Sequence, residues 1–103
     1  MSDEEKLHDF SVEYVTYYDG TGHRLGPSDC TLTTRRLLIN DSRGGMHQIV
    51  LRDISEISTP SRMLDPKMLR IGVPTAAYRV RCVSKEQKRA IEAWLSQAIR
   101  SSF

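Results

Sequence analysis

The sequence predicts a mainly β fold: a bent antiparallel sheet or barrel of six to seven short strands, capped by one C-terminal α-helix. Three observations predict it. Before position 84, apolar residues alternate with polar ones in short runs, and turn residues separate these runs about every 8–12 positions, the spacing of a small sandwich or barrel. From Ser84 onward the period changes to that of a helix. The length of 103 residues, with 39% hydrophobic and 27% charged, suits a single domain with its own core.

Residues 1–8 lack apolar periodicity and are expected to form a mobile arm, leaving 9–103 as the folded domain. Phe10, Val12 and Tyr14 alternate with Ser11 and Glu13, as in a half-buried strand. The phase slips at Val15 and Tyr17, which a β-bulge accommodates while bending the sheet. Tyr18-Asp19-Gly20-Thr21-Gly22 closes this strand with residues that tolerate positive φ. Gly26-Pro27-Ser28-Asp29 is expected to end the loop that follows. Cys30–Thr34 and Arg36–Ile39 are β-branched and apolar, and read as one strand or as two with a kink.

Asn40-Asp41-Ser42-Arg43-Gly44-Gly45 has the composition of a hairpin loop. In Met46–Leu51, Met46, Gln48 and Val50 share one face, and His47, Ile49 and Leu51 the other. A turn at Arg52-Asp53 leads to a short strand carrying Ile54 and Ile57. Pro60 and Pro66 bracket a loop, because proline sits poorly inside a sheet. Met68–Val73 and Tyr78–Val83 are two further strands, joined through Gly72-Val73-Pro74-Thr75.

Ser84-Lys85-Glu86-Gln87 is a capping box: the serine oxygen can accept an early helix N–H while Gln87 reaches back. Ala90, Ile91, Trp94, Leu95, Ala98 and Ile99 then form one apolar stripe at helical spacing. Lys88, Arg89, Glu92, Ser96 and Arg100 occupy the opposite face, so this helix must dock on the sheet.

Composition excludes several classes of function. The longest apolar runs fall far short of the roughly 20 residues that span a bilayer. The acidic start MSDEEKLHDF is unlike a signal peptide, and a cytosolic or nuclear location is expected. Cys30 and Cys82 fall in separate strands without metal or redox spacing and are expected to be reduced and buried. Net charge is only +2, but residues 1–19 hold six acids and one lysine, so the rest is more basic than the total implies. His8, His23 and His47 accompany no nucleophile motif, and no His/Cys pair has zinc spacing. Gly20-Thr21-Gly22 lacks the lysine and helix of a phosphate loop and reads as a plain turn. The chain is therefore expected to be non-enzymatic and to need no cofactor.

Three segments sharpen the fold. Val15-Thr16-Tyr17-Tyr18-Asp19-Gly20, Cys30-Thr31-Leu32-Thr33-Thr34-Arg35-Arg36-Leu37-Leu38-Ile39 and Ile49-Val50-Leu51-Arg52-Asp53-Ile54-Ser55-Glu56-Ile57 stand in this order before the helix. The arrangement resembles the pleckstrin-homology-like superfamily in its GRAM and GLUE branch, and is similar to the GLUE domain of the ESCRT-II Vps36-type subunit. That resemblance implies a binding module in endosomal sorting or membrane trafficking, cytoplasmic and peripheral on endosomal or other membranes. Its phosphoinositide pocket would draw on His23 and Arg24, Arg62 and Lys67, and Lys85 and Lys88.

The residues themselves add Arg79 and Arg81, which alternate with Tyr78, Val80 and Cys82, and Arg70 from the neighbouring strand. Arginine pairs with phosphate and carboxylate bidentately, while lysine supplies point charge. The anionic-ligand candidates are therefore Arg24, Arg62, Lys67, Arg70, Arg79, Arg81, Lys85 and Lys88. On a solvated sheet face such residues also serve as plain solubilising groups. Arg35 or Arg36 is expected to pair with Asp53 or Glu56. A protein partner is the first expectation, with a strand edge near Met68, Ile71 and Val73 as its rim. An anionic phospholipid is the alternative, and nucleic acid is a third reading with only Tyr17, Tyr18 and Tyr78 to offer for stacking.

Overall fold

The computed structural model describes residues 4–42, 44–59 and 66–101. Its strands are β1 (Lys6–Tyr18), β2 (Gly22–Thr33), β3 (Arg36–Asp41), β4 (Met46–Val50), β5 (Glu56–Ser58), β6 (Met68–Val73) and β7 (Ala76–Arg81). A 3₁₀ turn at Leu51–Asp53 joins β4 to β5, and the helix α1 spans Lys85–Ser101. All pairings are antiparallel, in the order β4-β3-β2-β1-β7-β6-β5. β1 is shared by two half-sheets: it pairs with β2 along its length and with β7 over Tyr14–Tyr18. The expected bulge is present, as a register shift between Val12 and Val15. No helix among the described residues is long and apolar enough to cross a membrane.

Three boundaries differ from expectation. β1 begins at Lys6, inside the segment read as an arm. Glu4 explains this, since its carboxylate takes two bonds from Arg36, Nε at 2.8 Å and Nη2 at 2.9 Å. Arg36 thus pairs with Glu4 and not with Asp53 or Glu56. Secondly, Gly22–Asp29 is strand and not loop. The Gly26-Pro27 pair lies opposite the β1 bulge, where Gly26 takes φ +77° and a proline without an N–H interrupts nothing further. Thirdly, Cys30–Ile39 is two strands, as one of the two readings had it, but they are joined by a reversal and not by a kink. It reverses at Thr33, whose Oγ1 accepts the amides of Arg35 (3.1 Å) and Arg36 (3.0 Å) and donates to Glu4 (2.6 Å). A hydroxyl that supplies the turn's acceptor makes a tight hairpin without glycine.

The Glu4 carboxyl is held down from 4.5 to about 2, by hydrogen bonding to Arg36 first and to Thr33 second. A carboxyl lowered in the folded state stabilises the fold above its ordinary range, and that contribution is lost as pH falls through about 2. An NMR titration of Glu4 should give this midpoint in the native chain and a higher one in Arg36→Ala, still below 4.5 while Thr33 donates to it.

The inner faces of both half-sheets close on one core, in which Val15, Ile39, Leu51, Leu69, Ile71 and Leu95 are fully buried. Each such side chain stabilises the fold by about 1.5–3 kcal/mol through burial. α1 starts as its sequence requires. Ser84 Oγ accepts the Gln87 amide at 3.1 Å, and Gln87 Oε1 accepts that of Val83 at 2.8 Å. Gln87 Nε2 also donates to the Ser11 carbonyl at 2.7 Å, tying the helix start to β1. Ile91, Leu95 and Ala98 face the core, while half-buried Trp94 stacks on His8 at 3.9 Å.

Both cysteines are free and buried. Burial pushes the Cys30 thiol up to about 12, and its electrostatic interactions with Asp29 and with Cys82 add to it. A thiolate reagent at pH 8 should leave the folded chain unlabelled and react with both thiols once it is denatured; reaction at the native rate of a free thiol would contradict the packing.

Candidate functional site

The candidate site is assembled by register. Across the sheet, Arg24 on β2 stands opposite Thr16 on β1, Thr16 opposite Arg79 on β7, and Arg79 opposite Arg70 on β6. Directly opposed residues in antiparallel strands share a face. Arg24, Arg79 and Arg70 therefore form one row across four strands, on the face away from the core. Arg81 is two residues beyond Arg79 on the same face, opposite Tyr14.

The four guanidinium groups are held differently. Arg70 is ion-paired with Glu56, and Arg81 Nε lies 3.4 Å from a Glu13 carboxylate oxygen. Arg24 lies over the Tyr14 ring and Arg79 over the Tyr18 ring, each 5.1 Å from the centroid. A cation over an aromatic face is oriented without being neutralised. Arg24 and Arg79 thus bring net positive charge to the row, whereas Arg70 and Arg81 are largely compensated.

The remaining candidates do not join them. The Lys67 carbonyl accepts the Cys82 amide, and Lys85 and Lys88 follow in the first turn of α1. All three lie at the end of β7 opposite the β1–β2 hairpin, away from Arg24. Lys88 is also engaged, its Nζ 3.0 Å from Glu92 Oε1. Arg62 lies outside the described residues. Nor is β6 an edge: it runs between β5 and β7, with Met68 and Ile71 buried, which removes these two from the expected strand-edge rim.

Sequence reasoning missed an aromatic cluster at the opposite, open end. Tyr17 packs on Tyr78 at 4.8 Å and faces His23 at 5.9 Å and His47 at 5.8 Å. His23 lies 3.2 Å from Asp19 Oδ1 and 3.0 Å from the Thr21 hydroxyl. Tyr17 and Tyr78 carried the signal, being inward-facing aromatics near a hairpin. His47 comes from the far half-sheet, and only the closed fold brings it there.

No family model and no curated relative matches the chain. Solved structures do. The complex of human RhoA with the DH/PH fragment of PDZRHOGEF matches with a TM-score of 0.70 at 14% identity, covering 94% of this chain and 29% of that one. The Vps36 N-terminal PH domain matches with a TM-score of 0.67 at 15% identity, covering 95% and 80%. Inner Membrane Complex Sub-compartment Protein 3 from Toxoplasma gondii matches with a TM-score of 0.66 at 14% identity, covering 88% and 76%. This chain therefore spans under a third of the first of these and most of the other two.

Proposed function

We propose, on the premise of its pleckstrin-homology-like fold, that this chain is a non-catalytic binding module that recruits a protein partner through an acidic segment. The carrying observation is the row of Arg24, Arg79 and Arg70 across the outer sheet face, with two of its arginines held over tyrosines. Neighbouring strands are about 4.8 Å apart, so Arg79 and Arg70 stand about 4.8 Å apart and Arg24 and Arg79, with Thr16 between them, about 9.6 Å, close to the roughly 10 Å spanned by three residues of an extended chain. An acidic strand crossing the row can therefore meet successive guanidinium groups, each suited to bidentate carboxylate recognition. The likeness to a DH/PH fragment in complex with RhoA supports a module that works beside a protein partner.

A phosphoinositide on the same face is the second reading. It is favoured by the likeness to the Vps36 N-terminal PH domain and by the shared chemistry of phosphate and carboxylate pairing. It would place the module peripherally on endosomal or other membranes. The two readings part on geometry, since a compact head group wants convergent donors and the row is spread over four strands.

The test is calorimetric titration of the chain with a capped hexaglutamate peptide, beside sedimentation with neutral and phosphoinositide-bearing vesicles. Binding of the peptide that is lost in the double variant Arg24→Glu, Arg79→Glu supports the protein reading. Pelleting with phosphoinositide vesicles at physiological salt, without peptide binding, replaces it with the lipid reading. Binding of either that ignores both substitutions would move the site off this face.

A further inference from the structure

β4 ends the sheet on its side: among the described residues β3 is its one ladder partner. The two ends of that ladder fix which main-chain groups it uses. The Asp41 amide donates to the Gly45 carbonyl, and the Leu51 amide to that of Arg35. Antiparallel ladders engage every second residue. His47 and Ile49 are therefore turned toward β3, and the N–H and C=O of Gln48 and the N–H of Val50 point off the edge, while the Val50 carbonyl, at the N-cap of the 3₁₀ turn, is taken by that turn. Met46 is 60% exposed and Val50 44%. Native edges are usually blunted by lysine, proline, a charge or a bulge, and Met46–Val50 carries no lysine, acid, proline or register shift.

Beside this edge lies a cavity of about 370 Å³, bounded across from Gln48 and Val50 by the β6–β7 hairpin at Val73 and containing Tyr17 and Tyr78. Among the described residues Asp53 is the one charged side chain that lines it. That lining thus offers aromatic rings and a carboxylate, with the imidazole of His47 against the same two tyrosines.

We propose that the β4 edge takes an extended basic segment of a partner protein as an added strand, with one arginine or lysine of that segment in the cavity. The Gln48 N–H and C=O and the Val50 N–H supply the ladder bonds, as in other strand additions. Every second side chain of the added strand faces the cavity. There the tyrosine faces attract a cation and Asp53 pairs with it. Arginine fits better than lysine, because a guanidinium has five donors and no acceptor. The occupant's charge is opposite to that demanded by the arginine row, so the two surfaces act independently.

The probe is a capped Thr-Val-Arg-Val-Thr peptide, followed by amide chemical shifts on the full chain. Saturable shifts are expected at Gln48, Val50 and Asp53, with binding at least tenfold weaker for the peptide carrying glutamate in place of arginine. Val50→Pro should abolish binding and keep the fold. Val50 has φ −70° and ψ 128°, already suited to proline, and its N–H is not used by β3. Asp53→Asn should weaken binding several-fold, and Arg79→Ala should leave it unchanged, separating this surface from the arginine row. Undiminished binding to Val50→Pro, equal affinity for the glutamate peptide, or no shifts at millimolar peptide would overturn the proposal. So would self-association of the chain that Val50→Pro dissolves, since the edge would then serve a second copy.

Discussion

Leu95→Ala is expected to lower the unfolding free energy by about 2–5 kcal/mol, the range for truncating a buried leucine. Leu95 is fully buried, on the face of α1 that closes the core against the 3₁₀ turn and β6. Small domains have only about 5–15 kcal/mol of stability in total, so this single change removes a large share of it. Urea denaturation should show an earlier midpoint with an unchanged slope. Ala93→Ser, on the exposed face of the same helix, should shift the midpoint little. Equal effects at the two positions would mean that α1 is not docked as described.

Arg24→Glu with Arg79→Glu is expected to weaken the acidic peptide by roughly a hundredfold at low salt. An exposed ion pair contributes about 0.75 kcal/mol, and reversal replaces attraction with repulsion, which roughly doubles the loss at each position. The sum is about 3 kcal/mol, or two decades of affinity. Salt should shrink the difference, because these groups are solvent-accessible and screened. Stability should change by about 1–2 kcal/mol, since what the fold loses is two cation–ring contacts. Calorimetry at two ionic strengths reads both the loss and its screening.

Much of this fold can be read locally, and what cannot is a matter of register. The helix start is legible because Ser84 and Gln87 answer each other within one turn. The β1 bulge is legible because Val15 breaks an alternation that Phe10 and Val12 establish. Thr33 is different: its hydroxyl makes a hairpin where composition shows only β-branched strand, since one side-chain acceptor outweighs the propensity of its neighbours. The candidate site divides the same way. Alternation alone places Arg79 and Arg81 on one face of β7. That Arg24 joins Arg79 depends on the bulge, which sets where β1 meets both β2 and β7. Lys85 and Lys88 fail to join because a resemblance carries residue types between folds more faithfully than it carries distances.

The placement of β1 between β2 and β7 also has a consequence for how the chain is made. Tyr14 pairs with Arg81, a partner 67 positions later by subtraction of the two numbers. β1 to β4 form successive hairpins and can assemble as they leave the ribosome, whereas the far side of β1 must wait for β7. Contacts of such separation fold slowly, and the nascent sheet meanwhile carries an open edge at Tyr14–Tyr18. The helix that closes the core follows every strand in chain order, so the nascent sheet keeps its apolar face uncovered until α1 has also been made.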